Sequence, residues 1–91
     1  MENRVVRKGD RNSAGARTLT GDKTFLVDNR PVCPIWTPVE SHQLHTNVRT
    51  AQGNKTWILN NRKITVVGNR DTCGHRRVEG SRTFILGERF T

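Results

Sequence analysis

Gln52-Gly53-Asn54-Lys55-Thr56-Trp57-Ile58-Leu59-Asn60-Asn61-Arg62 is the stretch on which the reading of this chain turns. Gly53-Asn54 suits the positive φ angles of a tight hairpin turn. The Thr, aromatic and aliphatic residues after it favour a pleated strand, with Trp57 and Leu59 on one face and Ile58 on the other. Asn60-Asn61 predicts a second turn, leading into Ile64-Thr65-Val66-Val67.

The same order of residues occurs twice more. Thr20-Gly21-Asp22-Lys23-Thr24-Phe25-Leu26-Val27-Asp28-Asn29-Arg30 precedes it, and Glu79-Gly80-Ser81-Arg82-Thr83-Phe84-Ile85-Leu86-Gly87 follows it. The common pattern is Gly, a small polar residue, a base, Thr, an aromatic and two aliphatics; three copies in 91 residues mark an internal repeat. Leu26, Ile58 and Ile85 are equivalent positions in it. Each glycine is preceded by another extended stretch: Arg17-Thr18-Leu19, Val48-Arg49-Thr50 and Arg77-Val78-Glu79. Alanine appears only at Ala14, Ala16 and Ala51, and no long 3.6-residue apolar period exists, so helix is not expected. The reading is a single all-β domain over residues 1–91, with β-hairpin units at about 16–32, 47–67 and 76–87 and an approximate internal three-fold.

A chain of this length makes a thin core. Only 32% of it is hydrophobic and 5% aromatic, and small domains of this kind usually need a disulfide, a metal or a partner. No run approaches the ~20 apolar residues of a membrane span. Met1-Glu2-Asn3-Arg4 lacks the apolar run of a signal peptide, so synthesis in the cytosol is expected. Two cysteines made in reducing surroundings read as thiols or metal ligands before they read as a disulfide.

The net charge of +8 raises nucleic acid as a partner. The bases are spread from Arg4 to Arg89, however, and the doublets are short: Arg7-Lys8, Arg62-Lys63, Arg76-Arg77. No specific nucleic-acid partner is expected, and a small basic nucleic-acid-binding module is kept as the alternative reading.

Both cysteines and all three histidines lie outside the repeated strands. Cys33-Pro34-Ile35-Trp36-Thr37-Pro38 runs on to His42-Gln43-Leu44-His45, and Cys73-Gly74-His75 precedes the third unit. Thiolate and imidazole are ligands that Zn²⁺ prefers, usually four in a tetrahedron. The candidate set is His42, His45 and His75 with Cys73, and Cys33 is the candidate that replaces His75 or Cys73. Zinc is expected, one per chain and structural, with iron the alternative. A Cys33–Cys73 disulfide and ordinary loop side chains are the competing readings. No activated Cys-His nucleophile, carboxylate pair or phosphate loop is recognisable, so an enzyme is not expected.

These pieces together resemble the PAAR-repeat family: Lys8-Gly9-Asp10, Gly21 to Arg30 with Pro31-Val32, Gly53 to Arg62, Gly68-Asn69, Cys73-Gly74, and Gly80 to Gly87. The naming Pro-Ala-Ala-Arg is reduced here to Pro31-Val32 and Ile64-Thr65, Gly68-Asn69 stands for a Gly-Asp, and Ser13-Ala14 stands where the family often carries a histidine. The resemblance implies a small cone with a metal-fixed apex, whose base docks on the end of a trimeric β-helical spike. It implies one tip per spike trimer, a monomer by itself, and a membrane-puncturing role with transient contact with the target membrane. The setting would be the tail tip of a phage virion, assembled in the host cytoplasm, or a type VI secretion apparatus; no toxin extension is expected after Gly87. Leu26, Ile58 and Ile85 are the expected spike-binding residues.

Overall fold

A computed structural model describes residues 3–42 and 44–86. Strands β1 (Asp22–Val27) and β2 (Arg30–Val32) form one antiparallel two-stranded sheet, and β3 (Asn54–Leu59) and β4 (Arg62–Ile64) form another. Among the described residues there is no helix, so the chain is a small all-β protein.

The turns fall where the Asx pairs predict them. Asp28 and Asn29 take φ of 54° and 65°, and Asn60 and Asn61 take 52° and 67°, the left-handed pair that a tight hairpin of matching twist requires. Gly21, Gly53 and Gly80 do not serve as the expected positive-φ turns. They are sites of close approach: a Cβ at Gly53 would lie 2.6 Å from the Cβ of Lys63, and one at Gly21 would lie 2.7 Å from that of Pro31. The next residue folds back on the strand instead, Asp22 and Asn54 each accepting hydrogen bonds from the backbone and hydroxyl of Thr24 and Thr56.

The third segment does not build a hairpin of its own among the described residues. It pairs with the N-terminal arm: Val5 N donates to Phe84 O at 3.2 Å, Ser81 N to Val5 O at 2.8 Å, and Leu86 N to Asn3 O at 2.9 Å. Arg4 faces Ile85 as Pro31 faces Leu26 and Lys63 faces Ile58. Gly87, the last residue of the expected third unit, lies outside the described residues.

Two closed circles of backbone hydrogen bonds organise the rest. Val6 N donates to Thr65 O (3.0 Å), Thr65 N to Cys33 O (2.8 Å) and Cys33 N to Val6 O (2.9 Å). Farther along the chain, three loops are closed by the pairs Arg11–Arg17, Pro38–Arg49 and Arg70–Arg76. Ser13 N donates to Arg76 O, Thr72 N to Arg49 O and Glu40 N to Arg17 O, at 2.8, 2.8 and 2.9 Å, so each loop is tied to the next. Val5, Val27, Val32, Ile64 and Val66 form the larger apolar cluster, against which Phe25, Trp57 and Phe84 pack. Ala16, Val39 and Val48 form the smaller one, under the loops.

Ile64 and Ile58 separate core from surface within one hairpin, at 0% and 58% exposed. Ile64→Ala should cost about 2–5 kcal/mol in chemical denaturation, whereas Ile58→Ala should stay within about 0.5 kcal/mol. Equal losses would contradict this arrangement.

Candidate metal centre

The middle loop, from Pro38 to Arg49, is the longest of the three and carries His42 and His45. These two residues face each other across a tight bridge, His42 N donating to His45 O (3.1 Å) and His45 N to His42 O (2.8 Å). Cys73 and His75 flank the tip of the third loop. Gly74 between them has φ of 95°, a left-handed turn that L side chains adopt only under strain, and it lets the chain reverse between two potential ligands. The circle of inter-loop hydrogen bonds brings these two loops together.

His42, Cys73 and His75 present ligand atoms that all lie within 4.8 Å of one another, and this group could hold a metal ion. The orientation of each donor has a cause. His42 Nδ1 lies 2.8 Å from Glu40 O, and since a carbonyl only accepts, Nδ1 is the donor there; the neutral ring in that tautomer has its lone pair on Nε2. Nε2 is 3.6 Å from Cys73 Sγ. An imidazole held by its outer nitrogen to a backbone carbonyl, with the other nitrogen facing a thiol, is the geometry of a pre-oriented metal ligand. His75 Nδ1 contacts Ser13 Oγ at 3.3 Å, while its Nε2 is buried with no hydrogen-bond partner. A buried ring nitrogen left without a partner is costly, and a metal ion would satisfy it. Ser13, where the resemblance leads one to look for a histidine, thus holds one instead.

His45 stands beside this group. Its ring centroid lies 5.3 Å from that of His42 and 5.4 Å from that of His75, and the His42 and His75 rings are 5.3 Å apart. Three imidazoles and one thiol therefore gather at this end of the loops.

Cys33, the fifth candidate ligand, is elsewhere. It is fully buried in the Val6–Cys33–Thr65 circle, and its thiol points to Thr20 O at 3.4 Å, as the Thr65 hydroxyl donates to Gln52 O at 2.9 Å. Burial pushes this thiol up to about 12. Cys33 acts as a small core residue here, and both cysteines are free thiols.

Sequence reasoning missed what supports the site. Asp71 and Arg77, both with fully buried side chains, form an ion pair of 3.1 Å across the third loop. Arg77 also donates to Ala16 O and Asp10 O, and Asn12 Nδ2 donates to Asp71 Oδ2, so the pair ties the first loop to the third. Burial raises the Asp71 carboxyl, with Asn12 and Arg77 pulling against it. Removing either partner would strand a buried charge at a cost of about 3–5 kcal/mol. Nothing in the spacing of Asp71 and Arg77 signals a buried role, because charged pairs six apart are most often solvated.

Comparison with known proteins returns no matching family model and no matching curated protein.

The two thiols should differ sharply in reactivity. At pH 8 a thiol titrating near 12 has roughly one thiolate in ten thousand, so iodoacetamide should reach Cys33 only as the metal-free protein unfolds. Cys73, half-buried at the loop tip, should be alkylated from the folded state, and Zn²⁺ should slow that reaction at least about tenfold. Mass spectrometry of the alkylated peptides reads both; equal rates at the two cysteines would contradict the assignment.

Proposed function

We propose that this chain is the metal-stapled tip of a trimeric β-helical spike, of the kind implied by its resemblance to PAAR-repeat proteins, in a contractile tail or a type VI secretion apparatus. The reading is mechanical and not enzymatic. A single chain that caps a trimer must offer three similar faces, and the observation that carries the proposal is the matched exposure of three matched residues. Leu26, Ile58 and Ile85 are 53%, 58% and 49% exposed, each in the same register opposite Pro31, Lys63 and Arg4.

Further support comes from the residues beside them. Phe25, Trp57 and Phe84 meet ring to ring, with centroids 4.8, 5.3 and 5.8 Å apart, so the three segments converge on one aromatic cluster. The Asx turn of one segment is also gripped by the hairpin turn of another: Asn60 donates to Asp22 and Thr24, and Asp28 accepts from Ser81 and Thr83. These relations are what a pseudo-three-fold body needs in order to present equivalent edges to a true trimer. The exposed aliphatics would be the docking set, with apolar area supplying affinity.

In this reading a zinc ion is held by His42, Cys73 and His75 with His45 as fourth ligand, closing the coordination shell so that its role is structural. The ion would join the second and third loops at the end of the fold that lacks strands.

Co-expression with a trimeric β-helical spike stub should give a complex of one tip per three spike chains. A Leu26→Asp, Ile58→Asp, Ile85→Asp triple variant should stay folded, because all three side chains are exposed, and should lose spike binding at least a hundredfold. Size-exclusion chromatography with light scattering reads both results. A three-to-three complex, or undiminished binding by the folded triple variant, would refute the proposal.

A further inference from the structure

A surface cleft of about 500 Å³ is lined by Arg4, Arg7, Arg11, Arg17, Arg30 and Arg82. Only two carboxylates share it, Asp10 and Glu79, and both are engaged. Asp10 is buried and accepts from Arg7 Nε and Nη2 and from Arg30 Nη2, at 3.1, 3.1 and 3.0 Å. Glu79 Oε1 accepts from the backbone N of Arg11 at 2.8 Å. The guanidinium groups of Arg11, Arg17 and Arg82 are exposed and have no hydrogen-bond or ion-pair partner among the described residues.

Cations gathered around a concavity repel one another, and the concave shape focuses their positive potential. Such an arrangement is relieved by a bound anion. Guanidinium forks match phosphate oxygens two at a time, which makes arginine the side chain suited to this work. Several guanidinium groups in one cleft suit more than one phosphate on the same ligand. The volume matches a small molecule and is too small for a duplex. The lining has no aromatic side chain, and Val78 is its only large apolar one, so nothing in it would stack on a nucleobase.

We propose that this cleft is a binding site for a compact oligophosphate, either free in solution or carried on a lipid headgroup. Arg7, fixed by Asp10 and Asp28, and Arg30, fixed by Asp10, form its ordered wall, and Arg11, Arg17 and Arg82 close on the ligand from the rim. The cleft shares no residue with the docking set or the metal ligands, so its test is separate from that of the spike-tip reading.

The test is titration calorimetry of the full chain with inorganic tripolyphosphate at physiological salt, on the wild type and two triple variants. R11Q/R17Q/R82Q should weaken binding at least tenfold. K23Q/K55Q/R62Q removes the same charge from exposed positions outside the cleft and should stay within twofold of wild type. Equal losses in the two variants, or no saturable binding by the wild type, would overturn the proposal. Vesicles of phosphatidylcholine with and without phosphatidic acid distinguish the sources. Binding to the acidic vesicles that tripolyphosphate displaces assigns the headgroup as a ligand of the cleft; absence of vesicle binding alongside tripolyphosphate binding leaves the free anion as the ligand. If a 20-base-pair duplex binds more tightly than tripolyphosphate and is lost equally in both variants, the basic surface is a general nucleic-acid contact and the cleft is not a site.

Discussion

Three buried peptide groups, at Val6, Cys33 and Thr65, hydrogen-bond to one another in a closed circle, and most of what the chain does locally serves to bring them together. They come from widely separated parts of the sequence, so no single hairpin can form the circle. Each of its bonds lies where water cannot substitute, and leaving one unmade costs about 1–3 kcal/mol. On one side lie Val5, Val32 and Ile64, all fully buried, which the circle forces together as the centre of the larger apolar cluster. The N-terminal arm is paired with the third segment beside this circle: Val5, next to Val6, enters the cluster while its own N–H donates to Phe84 O and its carbonyl accepts from Ser81 N.

The hairpins were legible because their signals are local. Asp28-Asn29 and Asn60-Asn61 tolerate the left-handed backbone that the turns demand, and the aromatic–aliphatic runs between turns alternate as strands do. Gly53 was misread for an instructive reason. A glycine before Asn has two physical uses, positive φ or the absence of a Cβ, and sequence does not separate them; here Lys63 passes too close for any side chain. The partner of the third segment left no local trace, because pairing with the far end of the chain is a property of the closed circle and not of residues 79–86.

The metal centre was legible in part on the same grounds. Cys73-Gly74-His75 places two donors around a flexible point, and His42 with His45 lies in a loop long enough to fold over them; of the five nominated residues, His42, Cys73 and His75 come together, with the His45 ring beside them. Cys33 shows the limit. Its thiol is chemically the equal of Cys73 as a ligand, but its backbone belongs to the buried circle and its side chain occupies the place that Thr65 fills elsewhere. The arginines of the cleft come from four separate stretches of chain and gather because the first loop meets the third segment directly, Val78 N and Glu79 N donating to Arg11 O, while Asp10 draws in Arg30.

If the proposed ion joins the second and third loops of this closed body, the protein should exist as one chain with one metal. Native mass spectrometry of protein purified without an affinity tag, from zinc-supplemented cells, reads both quantities at once. The expected species is a monomer carrying one zinc, which strong chelator converts to a metal-free form with a sharply lower melting temperature. A metal-free monomer that keeps its full melting temperature, or a trimer of the chain, would contradict the account.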